Sequence, residues 1–115
     1  MTAVKESSTR NYNKGVALSG CPVTFVMSKI GGYWKPIIIY HLMSGPKRYS
    51  ELKRAIPEIT EKMLIQHLKQ MQEDNLVIRE AKPVVPPVVT YILSTSGKEL
   101  SQVLDSMVEW GLKNR

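Results

Sequence analysis

The sequence predicts a mainly α-helical domain carrying one small β-hairpin, on three observations. Apolar residues at spacings of four and three run through "PEITEKMLIQHLKQ", residues 57–70, which is the period of a helix with one buried face. Two β-rich runs, "LVIRE" at 76–80 and "VVTYILS" at 88–94, stand apart from it. Glycine and proline pairs divide the remainder into segments of helical length. With 115 residues the chain is long enough for one domain with a real core and short for two.

Residues 1–20 are polar and hold Lys5, Arg10 and Lys14 against Glu6 alone, so a flexible basic arm is expected there. The domain proper, 21–115, begins at "CPVTFVMSKIGG": Pro22 suits a first helical turn and Gly31-Gly32 ends the helix. A second helix is expected from Tyr33 to Met43, with Pro36 tolerated in its first turn. Its run Ile37, Ile38 and Ile39 is apolar on more than one side, which favours burial between neighbours. Ser50 is the expected N-cap of a helix of about two turns that stops before Pro57. Thr60 is the expected N-cap of the next, whose inner face is Leu64, Leu68 and Met71.

At ~100° per residue, Lys62, Gln66, Lys69 and Glu73 fall opposite that inner face, flanked by Met63, Ile65 and Gln70. Asn75 sits where a left-handed residue would close the helix. The connection "AKPVVPPV" between the two β-rich runs is too long for a tight turn, and prolines 83, 86 and 87 stiffen it into a projecting loop. From Ser94 a last helix is expected, with Leu100, Val103, Leu104, Met107 and Val108 in one stripe and Gln102, Asp105 and Glu109 on the other side. A stripe so continuous at the end of a small domain favours pairing with a second copy.

Composition narrows the function. Hydrophobic residues at 43% and charged residues at 23% are ordinary globular values. No apolar run approaches the ~20 residues of a spanning helix and no secretory signal is recognisable, so the expectation is a cytoplasmic protein without a membrane partner. One cysteine forms no internal disulfide and agrees with a reducing compartment. The net charge of +6 makes polyanions the natural partners. No glycine-rich phosphate loop and no catalytic Ser, His and Asp set stand out, and His41 and His67 are too isolated for a metal site. An enzyme, a metal and a cofactor are therefore not expected.

A short helix meeting a second across the bridge Pro57 to Thr60 is a helix-turn-helix order, and the hairpin behind it is a wing. An α-helix fits the major groove of B-DNA, and its N-terminal end favours phosphate. Lys62 can meet a phosphate or guanine, Gln66 can pair with adenine, and Lys69 lies a turn further on. Lys47, Arg48, Lys53 and Arg54 cluster just before this helix. The candidate DNA-binding set is Arg48, Ser50, Thr60, Glu61, Lys62, Ile65, Gln66, Lys69, Arg79 and Lys82. Glu61 would repel phosphate yet could accept from a cytosine amino group.

These residues resemble the HxlR-type winged-helix transcriptional regulators, relatives of the MarR group. The motifs stand in order over 21–111: "CPV", "IGGYWK", "GPKRYSEL", "IPEITEKML", "EDNLV", "VPPVVTYILSTSG" and "EW". The resemblance implies a homodimeric bacterial DNA-binding protein, with the recognition helix beginning near Thr60 and the wing at Lys82 to Val88. It implies dimer contacts from the first helix, for which Val23 and Val26 are the candidates, and from the last, through Leu100, Val103, Leu104, Met107 and Val108. Tyr33 stands where a polar residue is usual, Asn75 replaces a glycine, and the wing reads "PPVVTY" where "PPRVEY" is typical. Val88 thereby removes a phosphate contact and leaves Arg79 and Lys82 as the basic members of the wing.

Cys21 precedes the first helix, where the dipole can stabilise thiolate, and some similar regulators sense oxidants or electrophiles through a cysteine at this place. The alternative is a small buried apolar residue that starts the helix. Trp34, in helical register with Ile38 and Leu42, is expected as a core anchor. The expected function is a sequence-specific transcription regulator, a repressor acting as a homodimer on an inverted repeat; whether a small-molecule effector binds is not legible. The rival is a winged helix used only for protein contacts, in which the basic residues meet an acidic partner.

Overall fold

The computed structural model describes residues 20–115; apart from Gly20, the expected basic arm lies outside the described residues. The chain divides between Tyr33 and Trp34 into two compact units. In the first, α1 spans Pro22–Ile30, with Pro22 in its opening turn and extended Cys21 at the N-cap. The N–H of Gly31 closes the helix on the Met27 carbonyl at 2.8 Å. Ser28 and Ile30 are buried, whereas Val23, Phe25 and Met27 are exposed.

The second unit opens with α2, Trp34–Leu42. Ile38, Ile39 and Leu42 are buried here, with Ile37 half-buried, as expected for a helix covered on more than one side. Trp34, at the start of this helix, is half-buried. Gly45, at φ 134°, turns the chain, and Lys47 then exchanges two backbone hydrogen bonds with Tyr91, at 3.0 and 2.7 Å. That bridge holds the chain extended up to Arg48.

Helix α3 spans Tyr49–Ala55 and is capped at Arg48, not at the expected Ser50. The reason is Glu51, whose Oε1 accepts from the Arg48 N–H at 2.8 Å; a carboxylate three residues in satisfies the free donor at that end and starts the helix before Ser50. The turn to the next helix is pinned by Ile56 and Ile59, exposed by only 3% and 1%. Helix α4 spans Glu61–Glu73, and Thr60 caps it by accepting from the Met63 N–H at 3.1 Å. Its inner face is Leu64, Leu68 and Met71, all essentially inaccessible, joined by buried His67. Each such side chain contributes roughly 1.5–3 kcal/mol over its exposed state.

Asn75, at φ 58°, ends α4 as expected. Strand β1, Val77–Lys82, pairs antiparallel with β2, Val88–Leu93, in a register running from Val77 opposite Leu93 to Lys82 opposite Val88. The first strand therefore takes two residues expected in the loop, since Ala81 and Lys82 have paired partners. The exposed connection 83–87 contains a cis Val85–Pro86 bond. The expected single last helix is two: α5, Thr95–Glu99, and α6, Ser101–Asn114, interrupted at Leu100. Ser94 fastens α5, donating its hydroxyl to the Asn75 carbonyl at 2.6 Å and accepting from the Gly97 N–H at 3.0 Å. Helix α6 instead packs along α2, so one straight helix cannot serve both. Of the expected stripe only Leu104 is buried, Leu100 is half-buried, and Val103, Met107 and Val108 are exposed.

Candidate nucleic-acid interface

Burying Leu64, Leu68 and Met71 turns the opposite side of α4 outward. Thr60, Glu61, Lys62 and Lys69 are exposed, Ile65 is 49% exposed and Gln66 is half-buried. No ion pair ties Lys62 or Lys69 among the described residues, so both ammonium groups are available to an outside anion. The open N–H groups of the first turn of α4 add partial positive charge, partly offset by Glu61.

The basic cluster before α4 separates into two pairs. Arg48 and Arg54 are exposed, as is Ser50 in the first turn of α3. Lys47 and Lys53 are half-buried and engaged within the fold: Lys53 Nζ donates to the Pro57 carbonyl at 3.2 Å, bracing the turn, and Lys47 Nζ donates to Ser44 Oγ at 3.0 Å. On the hairpin Arg79 and Lys82 are both exposed. Being three residues apart, they lie on opposite faces of β1, so the structure does not bring them together.

Two residues here escaped the sequence reading. Tyr49, in the first turn of α3, has its pKa raised, first by burial and then by Glu61 and Tyr91. His67 is buried on the inner side of α4. The four-residue step from Leu64 to Leu68 was legible as the buried face, and a histidine beside it carried no apolar signal. Among the described residues no three His, Cys, Asp or Glu side chains converge.

Cys21 is exposed, which overturns the buried-residue alternative. The Thr24 side chain and the backbone N–H groups of Thr24 and Val23 hold its thiol pKa below the ordinary value, because donors at an open helix end favour the thiolate. A lowered pKa means that thiolate forms at lower pH. The rate of Cys21 alkylation by iodoacetamide is therefore expected to rise with pH around a midpoint below that of the same chain in urea. Equal midpoints would remove the helix end as a cause.

A recognition-type helix behind a short helix, followed by a hairpin that is bonded back to the segment before them, defines a winged helix-turn-helix. The chain belongs to the HxlR-like helix-turn-helix family, whose model matches residues 29–115, and it is a transcriptional regulator of that type. The uncharacterized HTH-type transcriptional regulator YybR of Bacillus subtilis (strain 168) is 44% identical over 96 residues, covering 84% of this chain and 77% of its own. The putative regulatory protein MalR of Fusobacterium mortiferum is 46% identical over 95 residues, covering 82% and 90%. Among solved structures, the redox regulator HypR in its oxidized form has a TM-score of 0.79 at 43% identity, over 83% of this chain and 98% of HypR.

Proposed function

We propose that the protein binds double-stranded DNA sequence-specifically as a homodimer on an inverted repeat, with α4 in the major groove, and represses transcription in the cytoplasm by blocking polymerase. The observation that carries this reading is the division of α4 into a side sealed in the core and a side bearing unpaired Lys62 and Lys69 around Gln66. Two-fold symmetry then calls for half-sites about one helical turn apart, ~34 Å. Among the described residues no helix is long and apolar enough to cross a membrane.

Dimer formation is supported by apolar surface that water would otherwise cover. On α6, Val103, Met107, Val108, Trp110 and Leu112 are exposed, and on α1 so are Val23, Phe25 and Met27. An apolar groove of about 230 Å³ between α2 and α6 is lined by Pro36, Ile37, Tyr40, Leu104, Met107 and Val108. Patches of this kind on small soluble proteins mark association surfaces.

The experiment is selection of bound duplexes from a randomised pool, followed by titration of the selected site. Gln66→Ala is expected to relax discrimination at one base position per half-site by about 1–3 kcal/mol, the worth of one bidentate amide contact to adenine. Selection of no sequence by the native chain would refute the reading, and an unchanged preference in Gln66→Ala would refute the role of that residue. Cys21 is read as the thiol through which oxidants or electrophiles act. Its exposure and lowered pKa support this, as does the likeness to a redox regulator. Oxidant should alter operator binding in the native chain and leave Cys21→Ser unaffected.

A further inference from the structure

Beside the turn between α3 and α4 lies a cleft of about 520 Å³ lined by Tyr49, Ser50, Lys53, Arg54, Pro57 and Glu61. Lys53 is already committed to the Pro57 carbonyl. The Tyr49 hydroxyl is in the opposite condition: its oxygen is closed off from solvent and finds no hydrogen-bond partner among the described residues. A phenol has one proton to donate, and a buried donor left unused is unfavourable. The hydroxyl is therefore without an acceptor at hydrogen-bond distance among the described residues.

Glu61 is the carboxylate on that cleft. It is exposed at the first position of α4, so its side chain is free to turn, and its charge already acts on the phenol. Ser50 is a neutral and weaker acceptor. Glu61 also stands at the end of α4 that would meet the duplex first. An unrestrained carboxylate there repels phosphate, whereas a held one can accept from a base amino group.

We propose that Tyr49 is a positioning residue for base recognition: on the duplex its hydroxyl donates to one oxygen of the Glu61 carboxylate and leaves the other facing a cytosine amino group in the major groove. This rests on the DNA-binding reading above and adds a base to it. A hydrogen bond to an ionised acceptor is short and directional, so it restricts the rotamers of Glu61 and favours the one that reads the base. A carboxylate offers acceptors only, which makes the selected edge a donor.

The test compares duplexes selected from a randomised pool by the native chain, Tyr49→Phe, Glu61→Ala and the double variant, with thermal melting to confirm that each is folded. The native chain should enrich cytosine at one position per half-site. Glu61→Ala, which leaves no side-chain acceptor, should abolish that enrichment, and Tyr49→Phe should weaken it about tenfold, the scale of one hydrogen bond to a charged group, with the other positions retaining their preferences. In the Glu61→Ala background, Tyr49→Phe should have no further effect on it. A native chain that enriches no sequence would bring down the DNA-binding reading and this proposal together. A native chain that selects a site, with Tyr49→Phe selecting the same site equally well, would overturn the positioning role alone.

Discussion

Gly97→Ala is expected to destabilise the protein by about 3 kcal/mol, the upper end of ordinary overpacking. A Cβ at Gly97 would stand 2.2 Å from the Leu76 carbonyl oxygen and 3.3 Å from Leu93 Cβ. The first is backbone, already held as the acceptor of the Ser94 N–H at 3.0 Å, so it cannot yield as the tip of a flexible side chain could. Alanine's better helix propensity returns about 1 kcal/mol at most, and the clash prevails. Urea unfolding should show a lower midpoint at unchanged slope. Gly111→Ala is the control: it lies within α6 with nothing within 4 Å of the new methyl group, and it should be neutral or slightly stabilising. Equal midpoints for native and Gly97→Ala would mean that α5 does not sit against the hairpin as described.

Replacing Lys62 and Lys69 together by alanine is expected to weaken DNA binding about sixtyfold at 0.1 M salt and to reduce the slope of log K against log[salt] by about 2. Each exposed ammonium, if it meets one phosphate, releases close to one counterion, which is worth roughly eightfold at that salt concentration. The loss should be similar for selected and random duplexes, because phosphate contacts carry no direct sequence information. This separates the pair from Gln66, whose removal should act on one base position. Band-shift titrations at several salt concentrations measure both quantities. An unchanged slope would show that this side of α4 does not lie along the backbone of the duplex.

Much of the architecture was legible because it depends on local chemistry. Thr60 and Asn75 mark the ends of α4 through a hydroxyl acceptor and a tolerance for positive φ, and Leu64, Leu68 and Met71 reveal the buried side by spacing. The failures were non-local. Arg48 replaces Ser50 as the N-cap because the Lys47–Tyr91 bridge and Glu51 set where α3 begins. The last helix is interrupted because Ser94 and Gly97 answer to the hairpin while Leu104 answers to α2. For the candidate interface, residue types identified the outward side of α4. They did not show that Lys47 and Lys53 are engaged within the fold, that Arg79 and Lys82 lie on opposite faces, or that Tyr49 and Glu61 line one cleft.

The Lys47–Tyr91 bridge also bears on how the molecule behaves when crowded. A two-stranded sheet has two open margins, each offering unpaired N–H and carbonyl groups on which a neighbouring chain can zip. Lys47 occupies part of the margin of β2. The outer margin of β1 has no paired strand among the described residues, and it carries Arg79, Glu80 and Lys82. A like strand brought alongside must place some of these charges close together and dehydrate them, which disfavours growth into fibrils. Neutralising Arg79 and Lys82 would remove gatekeepers against aggregation as well as candidate phosphate ligands.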